Sequence, residues 1–273
     1  MASGLADSSV GLQIELLGPV EVRVGGRAVA LGGQRPRALL AVLALKGGRV
    51  VTTERLIDEL WGEDPPARAR DSLQMHVSRL RKALSEAGAG GGRLVNHADG
   101  YLLDVQPGEC DVERWQQSLG QAHRARAGGE PQAARDRIDE ALGLWRGEPL
   151  GGVSTNSLLD AERARLDEER LAAIIEGIEL DLELGRHGEL LGQLDALVIA
   201  HPFKERLVEL QMLALYRCGR QADALAAFQA ARARFVEELG IEPGQGLRDL
   251  HEDVLRHSDE LSSPGATTSE RTV

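Results

Sequence analysis

Residues 68–82 hold the side chains best suited to chemistry. Arg68, Asp71, Ser72, Met75, Ser78, Arg79 and Lys82 fall in one stretch with Leu73, Val77, Leu80 and Leu84. The leucine and valine positions follow i, i+4, i+7, i+11, the spacing of a buried helical stripe. At about 100° per residue, the polar set lies on the opposite half of that helix. In a DNA major groove an arginine forks onto a guanine edge, a serine bonds a base or phosphate, and a methionine touches a thymine methyl. Arg81 and Lys82, near the C-terminal end, suit phosphate oxygens better. The bland alternative is a solvated helix face. Two short helices before this one, and a glycine-hinged hairpin after it, argue against that alternative.

Further cations flank this helix. Asn96–Gly100 forms a hairpin tip, with Arg93 and His97 as contacts for a DNA backbone or minor groove. A plain surface turn stays open for this tip. Arg35 and Arg37 straddle a helix start, where phosphates bind readily, or they form an ordinary solvated pair. Thr52 or Thr53 caps the next helix, and Thr53 is also placed to touch a phosphate. Catalytic signatures are missing from the sequence. It has no GxxxxGK phosphate loop, no HExxH, no GxSxG and no GxGxxG after a strand. The seven histidines are scattered, and Cys110 and Cys218 lack a CxxC spacing, which points to free thiols. The expectation is a non-enzyme without cofactor or metal.

The net charge of −11 argues at first against a nucleic-acid partner. Its distribution reverses that inference. Residues 1–108 hold thirteen Lys and Arg against twelve Asp and Glu, whereas residues 109–273 hold nineteen against thirty-one. A local basic patch decides DNA binding, and the chain total does not. The acidic part suits protein contacts. Aromatics make up 3 % of the chain, so its cores are aliphatic. No run approaches the roughly 20 apolar residues that span a membrane, and Met1–Ser9 has no signal-peptide pattern. A cytoplasmic, nucleoid-associated protein with no membrane contact is expected.

The positioning elements read as follows. Leu12–Val24, broken at Gly18-Pro19, and Ala28–Leu31 give short strands. Helices follow at 34–45, 54–61 and 67–87, then a hairpin over 93–105. From Asp111 onward the chain is helical, with segments at 111–127, 130–146, 157–185, 187–200, 203–218, 220–239 and 243–257. Serial helix pairs of this length suggest a tetratricopeptide-like solenoid. The fold is therefore mainly α. A leader over 1–11 and a Ser/Thr-rich tail over 258–273 are expected to be disordered. Between them lie a winged helix-turn-helix with a small N-terminal sheet and a hairpin wing (12–106) and a helical repeat domain (109–257).

Asp71–Leu84 (DSLQMHVSRLRKAL) resembles the recognition helix of OmpR/PhoB winged helices, and Gly100-Tyr101 resembles their wing ending. Leu144–Leu150 (LWRGEPL), His201–Leu207, Ala214–Leu225, Arg232–Pro243 and Leu247–Leu255 resemble the bacterial transcriptional activator domain. The combination is similar to the Streptomyces antibiotic regulatory proteins. That resemblance implies an activator of secondary-metabolite gene clusters. It implies binding to direct repeats near the promoter −35 element, by protomers placed side by side. It also implies recruitment of RNA polymerase holoenzyme through sigma factor, the β-flap and the α C-terminal domain. By position, Met75 and Arg79 face bases, while Arg81 and the wing hold backbone. Asp71 and Ser78 stand where the OmpR/PhoB relatives often carry arginine, so base preference is not transferable. Larger relatives add a nucleotide-binding ATPase region, which leaves a small-type member or a trimmed regulator. A different class of reading is a ligand-responsive repressor or sensor using the helical repeats; another is a scaffold that never touches DNA.

Overall fold

The computed structural model describes residues 11–90, 92–153, 157–258 and 261. The expected leader and tail fall almost wholly outside those residues. The described chain forms two compact units. The first runs to Gly120 and also takes in Glu140–Leu171; the second holds Gln121–Asp139 and the chain from Ala172 onward.

In the first unit, β1 (Leu12–Glu15), β2 (Glu21–Val24) and β3 (Arg27–Ala28) form an antiparallel sheet in that order. Alternation buries Leu12, Ile14, Val22 and Val24 on one face. α1 (Gln34–Leu45), α2 (Thr53–Trp61) and α3 (Ala69–Glu86) follow. β4 (Val51–Thr52), just before α2, pairs with β6 (Gly100–Leu103), which also pairs with β5 (Leu94–His97). The hairpin is therefore part of a three-stranded sheet, where the sequence pattern gives only two strands. Leu39, Leu40, Leu43, Leu56, Leu73, Leu80, Leu84 and Leu103 are fully buried and form its core.

The same unit draws in chain that follows the wing. In α4 (Asp111–Ala127), the Asp111 carboxylate accepts the N–H groups of Leu16 at 2.8 Å and Leu17 at 2.9 Å. Asp111 is 1 % exposed, and burial pushes its carboxyl above the usual range despite those two donors. The Arg146, Leu150 and Gly151 N–H groups donate to the carbonyls of Leu17, Leu16 and Gly18. A Cβ on Gly18 would lie 2.9 Å from Arg146 Cβ, so this close approach needs glycine. Trp115 is fully buried, edge-on to Trp145 at 5.2 Å.

The second unit is a helical repeat. It contains α5 (Pro131–Leu142) in large part, the end of α6 (Ser157–Glu183), and α7 (Leu191–Ala200), α8 (Glu205–Arg217), α9 (Gln221–Arg234) and α10 (Gln245–Leu255). Leu182, Leu194, Val208, Met212, Phe228, Leu247 and Val254 form its core. Two expected helices are interrupted: a 3-10 turn at His187–Glu189 precedes α7, and a π turn at Phe235–Leu239 extends α9. Leu261, inside the segment expected to be disordered, is buried in this core, and its carbonyl accepts Arg217 Nε at 2.9 Å.

Candidate nucleic-acid interface

α3 is anchored by Leu73, His76, Val77, Leu80 and Leu84, all buried. That anchoring turns the opposite face outward. Arg68, Asp71, Ser78, Arg79 and Lys82 are exposed, Met75 is 42 % exposed, and Ser72 is half-buried. An exposed thioether beside guanidinium and hydroxyl groups offers both apolar and hydrogen-bonding contact. Among the described residues Arg68 and Arg79 make no ion pair, and Lys82 has a single loose contact, to Glu86 at 3.7 Å. The expected outward set therefore lies on one helix face.

The wing is fixed to this helix by side chains that the sequence pattern assigns elsewhere. Arg81 is half-buried. Its guanidinium donates to the Leu94 carbonyl at 3.1 and 2.6 Å and to Asn96 Oδ1 at 3.0 Å. It thus joins α3 to β5 through Nε and Nη2. Arg93 is likewise held within the fold. It sits at the hairpin base, where Glu109 holds it at 2.8 and 2.9 Å, and it also donates to the Asp104 carbonyl. Its donors are committed within the fold. At the tip, Asn96, His97, Ala98 and Asp99 are exposed, and His97 pairs with Gly100 in the strand register.

The N-terminus of α2 closes the other side of the wing. Thr52 is the cap, its hydroxyl accepting the Arg55 N–H at 3.2 Å. Thr53 is half-buried, and its N–H donates to the Asp99 carbonyl at 2.9 Å. Gly100 makes this junction possible: a Cβ there would lie 2.0 Å from the Val51 carbonyl oxygen.

The α1 pair separates. Arg35 is exposed and stacks its guanidinium over the Trp61 ring at 5.6 Å, on the side of His76 and Arg79. Arg37 is half-buried next to the Gly152 turn and does not join the α3 face. Two buried polar residues have no signal in the sequence pattern. Glu59 is 1 % exposed, paired with Arg55 at 2.8 Å and accepting the Leu158 N–H at 3.2 Å. His76 is buried on the stripe side of α3, a position its i+3 spacing from Leu73 allows. Burial, then the charges of Arg79 and Arg35, hold its pKa below the ordinary histidine value.

Cys110 is buried and its thiol is pushed up to about 11, chiefly by burial. Among the described residues no group of His, Cys, Asp and Glu is arranged to hold a metal, and no helix is long and apolar enough to cross a membrane.

Residues 110–255 match the bacterial transcriptional activator domain family, and residues 26–102 match the family described as transcriptional regulatory protein, C terminal. The chain is 42 % identical to regulatory protein AfsR of Streptomyces griseus over 253 residues, 93 % of this chain and 25 % of AfsR. It is 39 % identical to regulatory protein DnrI of Streptomyces peucetius, covering 90 % of this chain and 92 % of DnrI. A solved structure of Mycobacterium tuberculosis EmbR in complex with a low-affinity phosphopeptide superposes with a TM-score of 0.88 at 32 % identity, covering 94 % of this chain and 69 % of that one. The chain thus spans about a quarter of AfsR and nearly all of DnrI.

Proposed function

Because the chain belongs to the Streptomyces antibiotic regulatory protein family of transcription regulators, with its winged helix and bacterial transcriptional activator domain, we propose that it activates transcription by reading duplex DNA with the outer face of α3. Met75 and Arg79 meet base edges; Ser72 and Ser78 bond bases or phosphates. Arg68 and Lys82 meet phosphates, and His97 at the wing tip reaches the backbone or minor groove. Arg81 serves by holding the wing beside α3. One observation carries this reading: a helix locked by five buried side chains presents Arg79, which has no ion partner among the described residues, with hydroxyls and an exposed methionine on its free side.

The sites are direct repeats near the −35 element, occupied by side-by-side protomers. The acidic helical repeats, with the first unit, then meet RNA polymerase holoenzyme at sigma factor, the β-flap and the α C-terminal domain. Secondary-metabolite genes are the target class, as the Streptomyces relatives suggest. Footprinting combined with transcription from purified components tests the reading. Protected direct repeats and raised transcript with holoenzyme and DNA alone are expected. Lowered transcript indicates a repressor, and no protection at any promoter of the neighbouring genes rejects DNA reading.

A further inference from the structure

Beside the outer face of α3 lies a cleft of about 380 Å³. Gly33, Gln34 and Arg35 of the α1 start, Leu60 of α2, and His76 and Arg79 of α3 form its wall. The charges facing it are cationic: Arg35 from α1 and Arg79 from α3, with none from α2. None of the described lining residues is a carboxylate. Packing over Trp61 holds the Arg35 guanidinium in place. Gly33, the N-cap of α1, has no side chain to cap the first turn, and helix N-termini favour anions. The observation that asks for a ligand is His76. It is 9 % exposed, its ring lies 6.0 Å from that of Trp61, and its buried Nδ1 has no hydrogen-bond partner. A buried imidazole nitrogen without a hydrogen-bond partner is a costly arrangement, and the two arginines beside it attract an anion to this side of the ring.

We propose that this cleft seats one backbone phosphate of duplex DNA, held by Arg35 and His76, while Arg79 borders the cleft and keeps its fork for the bases. The proposal rests on the DNA-reading function above and adds His76 to it. Arg79 belongs to both the cleft and the outer face of α3, so a duplex lying along that face brings its backbone to the cleft. Filling the seat also moves a proton. Without DNA, burial and the two arginines keep His76 neutral at neutral pH. A phosphate favours the imidazolium, so binding takes up a proton from solvent. Affinity therefore rises as pH falls through the bound-state pKa of His76, and levels off below its free-state pKa.

The test uses the full chain and a random-sequence duplex of about 30 base pairs at low salt. Fluorescence anisotropy from about pH 8 to 5.5 should show tightening of about threefold to tenfold, and His76→Gln should flatten that profile. Arg35→Gln, at an exposed site, should lower the log–log salt slope by about 0.9, one phosphate's worth. Because His76→Gln disturbs a buried position, the His76 ring-proton titration in the unaltered chain supplies a second readout. Its pKa should rise when duplex is added and stay put with millimolar inorganic phosphate. A pH-independent affinity with an unmoved His76 pKa overturns the seat and leaves DNA reading intact. An equal shift with inorganic phosphate overturns duplex as the occupant. Failure to bind any duplex overturns both.

Discussion

Arginines on the outer face of α3 and those buried against the second unit's helices are used in opposite ways. In the second unit, three of them meet carboxylates. Arg126 meets Glu179 and Glu183 at 3.2 and 2.8 Å, Arg206 meets Glu179 and Glu209 at 2.7 and 2.9 Å, and Arg135 meets Asp181 at 2.8 Å. At the N-cap and on the outer face of α3, Arg68 and Arg79 have no ion partner among the described residues. A count of cations does not separate these uses. Pairing does: an arginine whose charge is neutralised within the fold contributes stability, while an unpaired one at the surface keeps its donors for a ligand. The net charge of −11 is thus compatible with a DNA-facing surface.

Substitutions that separate stability from DNA affinity test this contrast. The largest effect is expected from Gly100→Ala. Its methyl would overlap the Val51 carbonyl at the β4–β6 junction, costing about 3 kcal/mol in denaturant unfolding and loosening the wing. A loss under about 0.5 kcal/mol would mean the junction yields easily. Arg206→Ala should come next, at about 2 kcal/mol, because it takes the arginine from Glu209 and leaves Glu179 with Arg126 alone in a partly buried setting. Its DNA affinity, measured under conditions where the variant stays folded, should be unchanged. Arg79→Ala should invert that pattern, with stability within about 0.5 kcal/mol of the parent and binding weakened by about 1–3 kcal/mol at one base position. Equal losses on specific and random DNA would assign Arg79 to phosphate alone. Lys82→Ala should have the smallest effect, weakening binding to all duplexes alike and reducing the salt slope by about 0.9.

What the sequence made legible was local. The Leu73, Val77, Leu80, Leu84 spacing announces both the buried and the outer side of α3, because side-chain direction follows directly from helical period. The Asp99-Gly100 turn likewise announces the hairpin. Long-range partners left no such trace. Asp111 binds Leu16 and Leu17, more than ninety positions away, so nothing periodic shows that α4 completes the N-terminal sheet region. β4 has two residues, too few for an alternation to register. Arg81 and Arg93 look like surface cations in a linear reading, and only the packed hairpin brings Leu94 and Glu109 to them. His76 was hidden for a related reason. A polar residue within an apolar stripe looks solvated until α1 and α2 cover it.

The sequence contains three methionines, Met1, Met75 and Met212. Met75 is exposed on α3, and Met212 is fully buried in the second unit. Methyl NMR of methionine-labelled protein, titrated with duplex DNA, therefore reports both regions in one spectrum. If the outer face of α3 enters the groove, the Met75 methyl shifts or broadens in proportion to bound duplex while Met212 holds its position. Saturating duplex that leaves Met75 unmoved would contradict DNA reading by this helix.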